Sequence, residues 1–211
     1  MDRKIIYEKI LEHLNLFWKS RKDVISFAGK PQKSLIFHDV TSKKMPAQKL
    51  LGTVKEMASI ETVHLVNTIL EVSKYLCWKN GYSEDELGKD FVEKMAWFDL
   101  ISPEGPFLSD NLRVMIGFWG DGLHYKIHSH FPAEIYVPIA GSANFWSENS
   151  GKNLAKVGDI ISHKSNERHS IMMDKGPLLS LVFWKKSDEN QTVKMASDAV
   201  STGLEIKVNL N

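Results

Sequence analysis

The residues best suited to do chemistry in this sequence are histidines grouped around one glutamate. Five of the eight histidines fall between positions 124 and 169. His128 and His130 are two residues apart, so on a strand they would point to the same face. Glu134 has the same parity and can return a carboxylate to that face after a bend at Phe131 and Pro132. Two imidazoles and a carboxylate on one face predict a site for a metal ion.

The available ligand atoms limit which ion fits this site. Cys77 is the single cysteine, so neither an internal disulfide nor a multi-thiolate zinc site can form. The ligands are therefore expected to be nitrogen and oxygen atoms. Two or three imidazoles with one carboxylate suit one divalent transition-metal ion, Fe, Mn, Co, Ni or Zn, and leave positions open for a substrate. The sequence does not choose among these ions.

The first half of the chain has a helical pattern. In residues 1–100, apolar residues recur at three- and four-residue steps, which predicts three helices joined by less regular segments. The third helix opens at a capping box formed by Ser83 and Glu86, and its predicted apolar face extends to Met95 and Phe98.

The second half has the pattern of a β-protein. Short runs rich in Val, Ile, Phe, Tyr and Trp alternate with turn residues, and seven such runs suggest a sandwich or closed barrel. The candidate strands are residues 112–119, 123–128, 133–139, 142–146, 159–162, 169–173 and 178–185, with a possible late strand at 204–210. We therefore predict an N-terminal helical region, residues 1–100, packed on the outside of a β-barrel, residues 101–211.

Charge and hydropathy argue against two classes of partner. The 27 lysines and arginines nearly balance the 26 aspartates and glutamates, so there is no broad basic field for nucleic acid. No stretch approaches the roughly 20 apolar residues that a membrane-spanning helix needs, and the N-terminus does not resemble a secretory signal. We expect a cytoplasmic protein, a monomer or homodimer, with neither nucleic-acid nor membrane partners.

The spacing of the candidate ligands resembles a known family signature. Gly122, His128, His130, Glu134 and Gly141 match the first motif of the cupin superfamily, G-x5-H-x-H-x3-E-x6-G, position for position. A second cupin motif would place His169 as a further ligand, although Lys164, Asn166 and Met173 replace its usual Pro, Gly and Asn. The resemblance implies a mainly β (α+β) fold, a cupin-type double-stranded β-helix or jelly-roll barrel preceded by the N-terminal helical region.

Within that superfamily the sequence resembles the cupin-type dimethylsulfoniopropionate lyases. The similarity lies in residues 105–114, in Tyr125 and Tyr136 on either side of the ligand motif, in residues 141–146 and in the run 177–179 that leads to Trp184. Those enzymes split a sulfonium carboxylate into dimethyl sulfide and acrylate by β-elimination. The resemblance therefore implies a carbon–sulfur lyase with a small-molecule substrate.

The resemblance also assigns roles to residues of the metal site. It implies that His130, Glu134 and His169 are metal ligands, and that His128 is a fourth ligand or a neighbour of the substrate. Apart from the resemblance, His163 could bind substrate or support a ligand, or it could be an ordinary polar residue of a loop.

Catalytic roles fall to two tyrosines. By the same resemblance, Tyr136 is the general base, and Tyr125 assists it or orients the substrate. Tyr136 follows Glu134 by two residues, so both would share a strand face. An aromatic ring such as that of Trp184 or Tyr125 could receive the sulfonium cation.

Two other functions fit the same metal site. An iron-dependent dioxygenase needs only the open coordination positions, and a non-catalytic cupin could bind a small molecule while the ion stabilises the barrel. Oxygen consumption would distinguish the first alternative, and the absence of turnover would distinguish the second.

Overall fold

The computed structural model describes residues 2–185, 193–196 and 206–208, and the N-terminal part of the chain is largely helical, as predicted. The α-helices are α1 (Arg3–Ser20), α2 (Lys22–Ala28), α3 (Val63–Val72), α4 (Glu84–Leu87) and α5 (Lys89–Lys94), and the 3₁₀ helices are Pro46–Met57 and Ser73–Tyr75. Within the described ranges, no helix is both long and apolar enough to span a membrane.

Helix α1 follows directly from its sequence. The Asp2 carboxylate accepts a hydrogen bond from the Lys4 backbone N–H at 2.9 Å, which caps the first turn. Ile6, Ile10 and Leu14 recur at four-residue steps and are all buried. One stripe of the helix therefore packs on the rest of the protein while the other stripe faces water.

The described part of the chain forms thirteen strands, several of them close to the predicted ones. The strands are β1 (Ile36–Phe37), β2 (Met95–Ser102), β3 (Phe107–Leu108), β4 (Leu112–Trp119), β5 (His124–Ser129), β6 (Glu134–Gly141), β7 (Ala143–Ser147), β8 (Gly151–Ala155), β9 (Ile161–His163), β10 (His169–Met172), β11 (Leu178–Lys185), β12 (Val193–Met195) and β13 (Ile206–Val208). Of the predicted late strand at 204–210, only Ile206–Val208 lies within the described residues, and it is a strand.

The strands form two sheets that face each other. One sheet has the order β1-β3-β2-β4-β11-β6-β9, and the other has the order β13-β12-β5-β10-β7-β8. Tyr136 of the first sheet and Phe145 of the second have ring centroids 5.3 Å apart, so the space between the sheets is filled by side chains of both. The predicted fold class, a jelly-roll barrel preceded by helices, is confirmed.

The seven-stranded sheet is covered on both faces, and residue parity separates them. On β4, Val114, Ile116 and Phe118 pack with the helices, whereas Met115 and Trp119 pack inside the barrel. The outer face holds the helical layer through contacts such as the edge-on pair of Trp18 and Phe183, whose ring centroids are 5.0 Å apart. Helices α1–α3 therefore lie on the outside of the barrel.

The third predicted helix is wrong over its second half. The capping box forms, with the Glu86 carboxylate accepting from the Ser83 N–H at 2.7 Å, but α4 ends at Gly88, whose φ of +87° breaks the helix. Met95 and Phe98, expected on a helix, lie in β2. Every residue of β2 is buried, so this strand has no alternation of polar and apolar residues, and its apolar run is also compatible with a helix.

Strand β2 (Met95–Ser102) also crosses the expected boundary between residues 1–100 and 101–211. The division into those two domains stays a prediction.

Two leucines of α1 test how much the helical layer contributes to stability. Leu14 is 0% exposed and Leu16 is 62% exposed. Leu14→Ala is expected to lower the free energy of unfolding by about 2–5 kcal/mol because it opens a cavity. Leu16→Ala is the matched control and should change it by no more than about 0.5 kcal/mol. Urea denaturation measures both, and equal effects would show that α1 does not stabilise the fold through this stripe.

Candidate active site and metal centre

Strand pairing brings the candidate ligands together at one end of the barrel. His169 at the start of β10 pairs directly with His128 on β5. In the opposite sheet, Glu134 at the start of β6 lies between Trp184 on β11 and His163 on β9. His130 lies in the turn between β5 and β6. The cluster therefore bridges the two sheets.

Each of the three candidate histidine ligands is oriented by a backbone carbonyl two residues away. The Nδ1 atoms of His128, His130 and His169 lie 2.7, 2.9 and 2.8 Å from the carbonyl oxygens of Lys126, Pro132 and Glu167, respectively. A carbonyl oxygen only accepts hydrogen bonds, so each Nδ1 carries the proton. The lone pair of each ring is thereby left on Nε2, the tautomer that binds a metal ion.

Two of these Nε2 atoms, those of His130 and His169, converge on one carboxylate oxygen. Glu134 Oε1 lies 3.0 Å from His130 Nε2 and 2.9 Å from His169 Nε2. None of the three atoms has a hydrogen-bond donor among the residues that the structure describes, and all three are buried. Electron-rich atoms so close together in a dry site require a cation or a proton between them.

The donor set fits a divalent metal ion. The ligand atoms of His128, His130 and His169 all lie within 4.8 Å of one another, and so do those of Glu134, His163 and His169. The residues can therefore hold a metal ion. That His128, His130, Glu134 and His169 do so stays a prediction.

The electrostatic environment favours the form that binds metal at His128 and Glu134, whereas at His169 the charge of Glu134 outweighs burial and raises the pKa. Burial lowers the pKa of His128 well below its ordinary value, and the neighbouring His169 lowers it further, so His128 is neutral. Burial alone would raise the pKa of Glu134, but His130 and His169 outweigh it and hold that pKa well below the usual range. A neutral imidazole and an ionised carboxylate are the states that a metal ion requires.

The second oxygen of Glu134 is held by Trp184. The indole Nε1–H of Trp184 donates to Glu134 Oε2 at 2.6 Å. The same indole lies 4.5 Å from the His130 ring, measured between centroids, and the Arg113 guanidinium lies 5.8 Å from its centroid. Trp184 thus fixes the orientation of the carboxylate and also lines the adjoining cavity. Its expected contact with substrate stays a prediction.

His163 lies against the ligand cluster. Its ring stacks on that of His169, with centroids 4.1 Å apart and planes 9° from parallel. Burial, followed by His169, lowers the pKa of His163 to about 4, so the ring is neutral. Neither ring nitrogen has a hydrogen-bond partner among the described residues. The substrate-binding role expected for His163 stays a prediction.

The two candidate catalytic tyrosines are buried beside the cluster. The Tyr125 ring stacks on His128 with a centroid distance of 3.8 Å, and its hydroxyl is hydrogen-bonded to the hydroxyl of Tyr82. The Tyr136 ring lies 6.0 Å from that of His163. Burial, and then the charge of Glu134, raises the pKa of Tyr136 well above its ordinary value. Both hydroxyls are therefore protonated in the ion-free protein.

A cavity opens beside these tyrosines, and several of its residues were not singled out from the sequence. Its lining residues are Tyr82, Met95, Trp97, Met115, Gly117, Trp119, Tyr125, Tyr136, Val182, Trp184 and Val193. Tyr82 comes from the helical half of the chain, and Trp97 from the strand that was taken for a helix. The sequence carries no motif at either position. Trp97 reaches the site through the pairing of β2 with β4, and Tyr82 reaches it from the segment before α4 by a hydrogen bond to Tyr125.

Comparison with known proteins identifies the family of this chain. The family model for dimethylsulfoniopropionate lyase matches residues 19–180. The chain belongs to the dimethylsulfoniopropionate lyase family. The family and the carbon–sulfur lyase type inferred from the sequence are therefore confirmed.

Individual relatives in this family cover most of the chain. The dimethylsulfoniopropionate lyase DddQ of Ruegeria pomeroyi is 26% identical over 187 residues, which is 89% of this chain and 92% of that protein. The putative lyase DddL of Cereibacter sphaeroides is 28% identical over 146 residues, 68% of this chain and 61% of that protein.

Solved structures show the same similarity. A chain from the crystal structures of the DMSP lyases RdDddP and RnDddQII superposes with a TM-score of 0.87 at 28% identity, covering 93% of this chain and 100% of that one. The crystal structure of DddQ from Ruegeria pomeroyi gives a TM-score of 0.81 at 25% identity, with 88% and 93% coverage.

The hydrogen bond from Trp184 to Glu134 generates a prediction about metal affinity. Trp184→Phe keeps an aromatic ring but removes the N–H donor, so the carboxylate is no longer held in its ligating orientation. Loss of such a supporting bond is expected to weaken metal binding by about 10- to 100-fold. Competition with a fluorescent chelator measures the dissociation constant.

The matched control for this change is Trp78→Phe. Trp78 is fully buried and its indole N–H also donates a hydrogen bond, at 2.9 Å to the Ser73 carbonyl, but it packs among the helices. Loss of the Trp78 hydrogen bond should leave the metal affinity unchanged. Equal affinity in both variants would show that Trp184 does not support the ligand.

Proposed function

We propose that this protein is a metal-dependent lyase that cleaves dimethylsulfoniopropionate into dimethyl sulfide and acrylate by β-elimination. Membership of the family supports the substrate and the bond that breaks. The observation that carries the metal dependence is the buried convergence of two imidazole Nε2 atoms on Glu134 Oε1 without a donor among the described residues. Tyr136, two residues further along the same strand, supplies a phenol beside this cluster.

His130, Glu134 and His169, with His128 as a fourth ligand, would hold one divalent ion, Fe, Mn, Co, Ni or Zn. When bound, the ion supplies positive charge that stabilises the enolate-like charge on the substrate carboxylate and lowers the pKa of a neighbouring phenol. The three carbonyl-anchored histidines already hold their ligand atoms within 4.8 Å of one another.

Tyr136 is proposed to act as the general base. Its Oη takes the proton from the carbon next to the substrate carboxylate, and the electron pair of that C–H bond becomes the new C=C bond. The bond from the next carbon to sulfur breaks with its electron pair on sulfur, which releases neutral dimethyl sulfide and leaves acrylate. A tyrosine of ordinary pKa, about 10, needs the positive charge of the site to work as a base near neutral pH.

Tyr125 is proposed to orient the reacting groups. Its hydrogen bond to Tyr82 and its stacking on His128 fix the ring between the cavity wall and a candidate ligand. A residue so constrained aligns the substrate with little loss of its own freedom on binding.

The cytoplasmic location and the monomeric or homodimeric state inferred from the sequence stay predictions.

Replacing the proposed base tests the reaction. Tyr136→Phe should lower turnover by about 10²- to 10⁴-fold, because the phenol that accepts the proton is lost. Tyr75→Phe, a partly buried tyrosine that packs with the helical layer, should keep full turnover. Gas chromatography of dimethyl sulfide measures both, and metal analysis should show the same ion content.

Full turnover by metal-loaded Tyr136→Phe would overturn the assignment of the base. Absence of dimethyl sulfide from the unmodified protein with all five metals would overturn the proposed substrate. Consumption of oxygen during turnover would instead support an iron-dependent dioxygenase.

Replacing a proposed ligand tests the metal dependence. A metal ion that binds only the folded state raises the melting temperature, and His169→Ala should abolish this increase together with turnover. His38→Ala, which removes an exposed histidine, should preserve both. Turnover that survives complete removal of metal by a chelator would contradict the proposal.

A further inference from the structure

Gly117 leaves room in the barrel for the side chain of Trp119. It lies on β4, where a Cβ atom would approach Trp119 Cζ3 to 2.6 Å and Trp119 Cζ2 to 3.2 Å. Its φ is not in the left-handed region, so the need for glycine at this position is spatial, not conformational. The six-membered ring of Trp119 therefore lies directly over the Gly117 backbone, as glycines within strands often allow.

The seated indole faces the two candidate catalytic tyrosines. Its centroid is 6.4 Å from that of Tyr125, with planes 28° apart, and 6.0 Å from that of Tyr136. Trp97 on β2 pairs directly across from Gly117 and lines the same cavity. Trp97 and Trp119 thus form one continuous wall, which we call the tryptophan wall.

The tryptophan wall differs from an ordinary packed core. The Nε1–H groups of both tryptophans are buried and have no hydrogen-bond partner among the residues described. Buried donors are nearly always satisfied in proteins, so these two N–H groups require an acceptor in the cavity, such as a water molecule or an oxygen atom of a guest. A methylated cation offers no such acceptor, so the case for it rests on the ring faces and on the absence of charge in the lining.

The chemistry of the lining favours one kind of guest. The residues that line the cavity are aromatic, aliphatic, thioether-bearing or glycine, and none of them carries a formal charge. A methylated onium cation has no N–H or O–H group, so it needs no hydrogen-bond acceptor, and aromatic faces attract it. A protonated amine in the same place would leave its own donors unsatisfied.

The order of groups in the site matches the order of groups in such a substrate. Tyr136 lies between His163, next to the ligand cluster, and Trp119, with both centroids 6.0 Å away. In the proposed substrate the carbon that loses its proton lies between the carboxylate and the sulfonium. A carboxylate at the cluster therefore places that carbon near Tyr136 and the sulfonium near Trp119.

We propose that Trp119, seated over Gly117 and flanked by Trp97, is the specificity-determining side chain that receives the methylated sulfonium end of the substrate. Gly117 acts as a positioning residue, since it allows the ring to lie there. This inference rests on the proposed function for the identity of the cation. The competing explanation is that the ring only fills the space that glycine leaves.

The test compares two unreactive ligands of nearly the same shape. 3-(Trimethylammonio)propanoate and 4,4-dimethylpentanoate share a carboxylate and three methyl groups, and only the first carries a cationic centre. Calorimetry on the metal-loaded protein gives both affinities, and their ratio isolates the preference for the cation. Packing alone would affect both ligands alike.

Trp119→Leu is expected to reduce that ratio by about tenfold or more, as the loss of a desolvated cation–π contact predicts. Gly117→Ala should reduce it in the same direction, because the added methyl displaces the ring. Gly52→Ala is the matched control, since a Cβ at Gly52 meets nothing within 4 Å, and it should leave the ratio unchanged. Trp119→Phe keeps an aromatic face and should keep most of the preference, and thermal unfolding verifies that each variant is folded.

Equal loss of affinity for both ligands in Trp119→Leu would overturn the inference in favour of packing. An unmodified protein that shows no preference for the cationic ligand would also overturn it.

The experiments distinguish failure of the proposed function from failure of this inference. A preserved cation preference without dimethyl sulfide release refutes the proposed substrate and leaves the tryptophan wall as a cation site. Normal dimethyl sulfide release with a ratio insensitive to Trp119→Leu refutes the role of the wall alone.

Discussion

The site is organised around a contact that is unfavourable without a cation or a proton between its atoms. Glu134 Oε1 and the Nε2 atoms of His130 and His169 meet at about hydrogen-bond distance with no donor among the described residues. Several features of the fold enforce this contact: the pairing of His128 with His169, the carbonyls that accept each Nδ1 proton and the indole that holds Glu134 Oε2. Such preorganisation stabilises the metal-bound state, because no ligand has to give up another partner in order to bind.

The seven-stranded sheet separates the structural and chemical roles of the chain by residue parity. Even-numbered residues of β4, such as Val114 and Phe118, pack against helices, and odd-numbered ones, such as Gly117 and Trp119, face the interior. Helices α1–α3 contribute stability on the outer side, whereas Phe91 of α5 packs in the interior cluster, with its ring centroid 5.3 Å from that of Tyr125. Aromatic side chains dominate the interior near the site, which gives a dry environment in which charges interact strongly.

The ligand cluster could be predicted from the sequence, whereas the cavity could not. His128, His130 and Glu134 are close in sequence, so the strand period is enough to place them on one face, and a motif located His169. Trp97 reaches the site through strand pairing and Tyr82 through a hydrogen bond to Tyr125, both with distant segments for which local patterns carry no signal. β2 was mistaken for part of a helix because it is buried on both faces and therefore lacks alternation. The carbonyls that orient the imidazoles are backbone groups, which residue types do not reveal.

The charges around the cavity are arranged so that a cationic guest meets little repulsion. Arg113 faces the barrel interior near Trp184 and would otherwise oppose a cation. The buried Asp99 carboxylate accepts hydrogen bonds from Arg113 Nε at 2.7 Å and from a terminal nitrogen of the same guanidinium at 3.1 Å. Burial would raise the pKa of Asp99, but Arg113 and Lys79 hold it below the usual value, so the carboxylate stays ionised and offsets the guanidinium. The charge of Arg113 is thus offset by a carboxylate on the neighbouring strand β2, and Glu134 supplies negative charge at the ligand cluster. The cavity lining itself is uncharged, so a soft cation there would meet aromatic faces rather than a like charge, whereas a carboxylate at the cluster would need the positive charge of a bound ion to offset Glu134.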